Sequence, residues 1–211
     1  AAPKGRLILP QQQTIRSLLD AGCIPVVARE TELARTLSLL REPPALVVTD
    51  SQAFGMVSRI VPDSVRLTSF SILFARYKGD LRTAVLGAAA LRQLKDGDTV
   101  LISEGCTHHR QCGDIGTEKL PRWVRQYTGR DIRFVFTSGG EFPENLSPYA
   151  LIIHCGACML GEREMQSRLR RAAEQCIPVT NYGIAIAYMK GILRRSIAVF
   201  TKLLAELEET T

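Results

Sequence analysis

Cysteine and histidine are concentrated in two short windows of this chain. Cys106-Thr107-His108-His109 and Cys112 occupy the first, and His154-Cys155-Gly156-Ala157-Cys158 the second. All three histidines of the 211 residues fall there, with four of the six cysteines. Thiolates with imidazoles are the donor set of zinc or of an iron–sulfur cluster. Three thiolates, Cys106, Cys155 and Cys158, fit a cubane whose fourth iron is left to a weaker or exchangeable ligand. His108, His154 and Asp114 are the candidates for that ligand. Cys112 is a fourth thiol that could close the site. Two other chemistries use the same residues: a zinc site of two or three Cys with one or two His, and a thiol–disulfide pair, Cys155 with Cys158. Cys23 and Cys176 have no such neighbours and read as small core residues.

Such donors need rigid supports, and the sequence supplies strands that lead straight to them. Thr99–Ser103 reads as a strand ending just before Cys106, and Ala150–Ile153 as one running into His154-Cys155. In open parallel sheets functional loops gather at the carboxyl ends of strands, so the two windows meet if these strands share a sheet. The Cys-x-x-Cys also precedes a helix at Glu162–Gln175, whose first N–H groups would favour thiolate charge. The alternation continues elsewhere. Strands are expected at Arg6–Leu9, Ile24–Ala28, Ala45–Thr49, Val65–Thr68, Ile132–Phe136 and Ile177–Thr180. Helices are expected at Gln11–Asp20, Glu30–Leu40, Asp50–Ile60 (capped by Asp50-Ser51), Ser69–Tyr77, Asp80–Leu94, Lys119–Tyr127 and Gly183–Glu208. The apolar strands lack alternation, which implies parallel sheets covered on both faces. The fold class is therefore α/β, in two small domains, each a mostly parallel sheet flanked by helices, with a boundary at 79/80.

Composition narrows the function classes. Hydrophobic residues make up 45% and charged residues 23%, as in a globular protein. No apolar run is long enough to span a bilayer and no signal-peptide pattern opens the chain, so no membrane role and a cytoplasmic location are expected. Six cysteines do not make a disulfide scaffold here. The net charge of +6 could mark a nucleic-acid surface, but Arg168, Arg170 and Arg171 lack interleaved aromatics. They read as a solvated basic face, and no nucleic acid is expected. Trp123 reads as a core residue, and Gly139-Gly140 as a turn rather than a phosphate cradle. No Gly-x-x-x-x-Gly-Lys-Ser/Thr pattern occurs, so no P-loop is present.

At its cysteine windows the chain resembles the HydF family, the scaffold GTPase of FeFe-hydrogenase maturation, whose signature is Cys-x-His, a spacer, then His-Cys-x-x-Cys. Pro3-Lys4-Gly5-Arg6-Leu7-Ile8-Leu9-Pro10, Thr49-Asp50-Ser51-Gln52-Ala53-Phe54, the stretch Leu67–Lys78 and Thr180-Asn181-Tyr182-Gly183 are also similar to that family's segments. The resemblance implies a dimerisation domain over 1–79 and an iron–sulfur cluster-binding domain over 80–211. It implies a 4Fe–4S cluster on Cys106, Cys155 and Cys158, and a transient di-iron subcluster precursor as cargo. Radical-SAM maturases would supply the precursor, apo FeFe-hydrogenase would receive it, and the chain would act as a homodimer. GTP belongs to a further domain of full-length members, which this sequence does not match. The expectation is a chain truncated or split from that domain and not itself an enzyme. The competing reading is an enzyme, a thiol–disulfide oxidoreductase using Cys155 and Cys158, which leaves Cys106 and the histidines without a role.

Overall fold

A computed structural model of the chain describes residues 7–105, 115–157 and 159–209. Its backbone forms two compact units. One runs to Phe70 and takes up the chain again from Ile192; the other is Ser71–Gly191. The expected boundary at 79/80 lies inside the second of these.

In the first unit, helix α1 (Leu9–Asp20) begins where a strand was expected at Arg6–Leu9. Pro10 sits in its first turn, where its fixed φ favours helix, and the Gln11 side chain accepts the Ile8 N–H at 2.7 Å. The next expected strand, Ile24–Ala28, has no regular structure, and among the described residues no strand pairs with it. A 3₁₀ turn (Glu30–Glu32) leads into α2 (Leu33–Leu39). Strand β1 (Leu46–Thr49), helix α3 (Phe54–Ile60) and strand β2 (Arg66–Ser69) follow. β1 and β2 pair in parallel, Leu46 against Arg66 through Thr49 against Ser69. Asp50 does not cap α3 through its side chain; its carboxylate accepts from Gln11 Nε2 at 3.0 Å and so ties α1 to the end of β1.

The second unit carries α4 (Phe70–Lys78) from its second residue on, then α5 (Leu81–Gly87), β3 (Thr99–Glu104), α6 (Leu120–Thr128), β4 (Arg133–Ser138), β5 (Leu151–His154), α7 (Glu162–Glu174), β6 (Val179–Asn181) and α8 (Tyr182–Met189). Its sheet is wholly parallel in the order β4-β3-β5-β6. β3 and β5 are buried almost throughout, but β4 is an edge strand with Val135 and Phe136 exposed, so the sheet is not covered everywhere. Alternate residues divide between two cores. Val100, Ile102, Leu151 and Ile153 pack with Leu120 and Val124 of α6 and Ala185 and Ile186 of α8. Leu101, Ile152 and Val179 pack with Leu146 and with Ala172 of α7. Three layers result, helices on both faces of a parallel sheet.

The helix expected over Gly183–Glu208 is three: α8, then α9 (Leu193–Ile197) and α10 (Thr201–Glu209) in the first unit. Gly191 causes the first break, with φ +69° in the left-handed region where glycine is unstrained. Arg195 of α9 then donates to the carbonyls of Ser58, Val61 and Pro62, holding the returning chain to the end of α3.

Candidate metal centre

The strand order fixes where a site can form. From β3 the chain passes through α6 to β4 on one side of the sheet. From β5 it passes through α7 to β6 on the other. The carboxyl ends of β3 and β5 are thus the point where successive connections diverge, the crevice in which open α/β sheets bind ligands. The register sets Ser103 against His154, which brings the end of β3 and the start of the second Cys/His window to one edge.

Cys155 is half-buried just beyond β5. Its Sγ accepts the backbone N–H of Gly105 at 3.0 Å and that of Ala157 at 3.4 Å. N–H groups aimed at sulfur favour the thiolate, the form that binds metal. Both of these donors are loop amides. Gly105 is the residue before Cys106, so this hydrogen bond ties the end of the β3 strand segment to the second window. Ala157 has φ +52°, uncommon for a residue with a side chain, and is buried. Such strain is held where the surrounding structure over-determines the loop.

The chain also returns to this point. At Gly116, in a π-helical turn over Ile115–Lys119, a methyl group would collide with the Glu104 carboxylate and the Tyr182 hydroxyl. Tyr182 Oη in turn donates to Glu104 Oε1 at 3.1 Å. Gly105 is thus tied to the loop after β5, and Gly116 lies against the last residue of β3.

His154 is 1% exposed. Its Nδ1 lies 2.9 Å from the Cys155 carbonyl oxygen and its Nε2 3.2 Å from Arg168 Nη1. Burial, aided by the Arg168 charge and opposed by the Cys155 carbonyl, lowers its pKa to about 4. Arg168 is 2% exposed, which corrects the reading of this residue as part of a solvated basic face. It donates to Glu164 Oε1 (2.8 Å), Ser103 Oγ (3.2 Å) and the Gly139 carbonyl (2.8 Å), and lies over the Phe142 ring. Arg171 likewise donates to the carbonyls of Phe142 and Pro143. Gly139, with φ +62°, is a turn, as expected.

Helix α4 supports the Cys-x-x-Cys loop. Lys78 Nζ donates to the Leu160 carbonyl at 3.3 Å, and Gln166 Nε2 to that of Gly79 at 3.4 Å. Asn181 caps α8 by accepting the Ile184 N–H and donates to the Ser71 carbonyl. Between these parts lies a cavity of about 30 Å³ lined by Phe74, Cys155, Ala157, Met165 and Thr180. Thr180 Oγ1 is buried with no hydrogen-bond partner among the described residues, and the cavity has room for about one water.

Of the residues singled out in the sequence, Cys155 and His154 stand at this edge. Cys106, His108, His109, Cys112, Asp114 and Cys158 lie outside the described residues. Among the described residues no three His, Cys, Asp or Glu side chains group to hold a metal. Cys23 and Cys176 are exposed, not core. Trp123 packs partly buried against the core of its unit. Sequence reasoning missed Arg168, Ser103, Glu104 and Gly116; only Tyr182 had a signal, in the segment Thr180–Gly183.

Comparison with known proteins divides the chain near residue 80, not where the two compact units part. A family model described as the hydrogen maturase F dimerization domain matches residues 1–79. One described as the hydrogen maturase F tetramerization domain matches residues 82–199. No curated relative matches the chain.

Proposed function

We propose, from the premise that this chain belongs to the hydrogen maturase F family, that it is a self-associating scaffold holding a 4Fe–4S cluster on Cys106, Cys155 and Cys158. A part in hydrogenase maturation comes with the family; cluster binding is our reading of the site. The observation that carries it is the hydrogen bond from Gly105 N–H to Cys155 Sγ. It joins, at the divergence point of the sheet, the residue before Cys106 and the first cysteine of Cys-x-x-Cys. The donor set fits the group: soft thiolates, one already receiving two amide N–H bonds, as cluster sulfurs do. When bound, such a cluster supplies an iron whose fourth ligand can exchange. His108, His154 and Asp114 are the candidates for that ligand, and a non-cysteine ligand suits a carrier that must later release its cargo. The cargo in this reading is a di-iron precursor received from radical-SAM maturases and passed to apo FeFe-hydrogenase. The chain's own work is to fix the sulfurs on two buried strands and to fill the space behind them.

The test is anaerobic reconstitution with iron and sulfide, the native chain beside Cys155→Ala. A broad violet absorption band and a low-temperature EPR signal of the reduced cluster, both lost in the variant, are expected. Uptake of zinc alone, or of nothing, removes the cluster reading.

A further inference from the structure

We infer that Arg168 is a positioning residue that locks His154 in a single tautomer and withholds its Nε2 from any metal beside Cys155. The argument needs only donor and acceptor chemistry. A carbonyl oxygen can only accept, so His154 Nδ1, 2.9 Å from the Cys155 carbonyl, must carry the proton. A guanidinium can only donate, so Nε2, 3.2 Å from Arg168 Nη1, must be the bare nitrogen. Both ring nitrogens are then used, and the lone pair a metal would need faces α7.

Arg168 is itself over-determined. Desolvating a guanidinium is costly unless its N–H groups find partners. Here they reach Glu164 on the same helix, Ser103 on β3, His154 on β5 and the turn after β4. The planar fork lies over Phe142 at 5.0 Å from the ring centroid. A lysine has neither the fork nor the planar face to copy this. The His of His-Cys-x-x-Cys thus acts as a bracket: it joins the Cys155 backbone to a buried cation that holds three strand ends together. The consequence for the metal rests on the cluster reading above. The fourth ligand then comes from elsewhere than His154, which leaves His108 and Asp114 of the candidates.

The tautomer is measurable without metal. The full chain, labelled with ¹⁵N-histidine, reduced and metal-free, gives multiple-bond ¹H–¹⁵N correlations of its imidazoles. The His154 signals are those missing from His154→Gln. The expected pattern is Nδ1–H with a bare, hydrogen-bonded Nε2, shifting towards tautomer averaging in Arg168→Lys. An Nε2–H pattern or averaging in the native chain overturns the inference, and this holds even if Arg168→Lys fails to fold. The same labelled chain, loaded with iron and sulfide and reduced, is then read by pulsed EPR. No ¹⁵N coupling that His154→Gln removes should be seen; finding one overturns the inference. A chain that takes up no cluster defeats the cluster reading alone, because the tautomer result decides the role of Arg168 by itself.

Discussion

His154 shows how one buried side chain sets a pH response. Its pKa falls from 6.5 to about 4 in the fold, chiefly through burial. Between those values the unfolded chain binds a proton that the folded chain does not, so stability falls as pH falls. The contribution is fully present above pH 6.5 and gone below about 4. A shift of that size is worth on the order of 3 kcal/mol. In urea titrations of the metal-free chain, His154→Gln should therefore show a flatter decline of stability from pH 6.5 to 4 than the native chain. Parallel slopes in the two would remove His154 as the cause. The thiols divide in the same way by position. If the proposed cluster takes its thiolates from Cys106, Cys155 and Cys158, Cys112→Ser should leave its assembly largely intact, whereas Cys155→Ala should abolish it. Iron and sulfide content after reconstitution separates the two variants, and loss in Cys112→Ser would mean a four-cysteine, closed site.

At the scale of elements, glycines mark where backbone meets backbone. Gly87, in α5, faces β6 so closely that a methyl group would strike the Val179 carbonyl. A backbone carbonyl in a sheet cannot swing aside as a side chain can. Gly87→Ala should cost about 1–3 kcal/mol, in the range of overpacked cores. Gly55, in α3, has nothing within 4 Å of its added methyl. Gly55→Ala should gain up to about 1 kcal/mol from helix propensity. Thermal or chemical denaturation of both variants checks the contrast. These elements also show what could be read in advance. The parallel strands at 46–49, 99–104 and 151–154 were legible because continuous β-branched runs have few other uses. That β3 and β5, the strands leading to the two Cys/His windows, share one sheet was legible from their like composition and the alternation around them. Arg168 was not, since an arginine in a charged helix looks solvated until the acceptors at Ser103 and Gly139 are brought to it by the fold. The helix break at Gly191 was missed because Gly in an apolar helical stretch is tolerated often enough to hide a turn. Ile24–Ala28 has a strand's composition, but pairing is a property of neighbours, and the described residues offer it none.

That unpaired stretch is where the whole molecule enters. Among the described residues, ten large apolar side chains are exposed, and six of them, Leu7, Leu19, Ile24, Val26, Val27 and Leu39, lie before β1. Ile24 is 92% exposed. A monomer leaves such residues in water at a cost of about 25 cal/mol for each Å² of apolar surface, so the stretch has something to gain from a cover. The family model over residues 1–79 describes a dimerization domain, and a second copy of this chain is the occupant that fits. Pro25 cannot donate to a ladder, which confines the stretch to an edge strand or to packing by side chains alone. Charge at such an edge is the usual means of keeping strands apart. The double variant Ile24→Lys/Val27→Lys should therefore lower the molar mass in sedimentation equilibrium towards that of a monomer, with a dissociation constant raised at least tenfold, equivalent to about 1.4 kcal/mol. Iron uptake should be unchanged, because neither residue belongs to the unit that holds Cys155. A variant that kept the native mass would place the dimer contact elsewhere on the chain. One that lost mass and iron together would tie cluster binding to assembly.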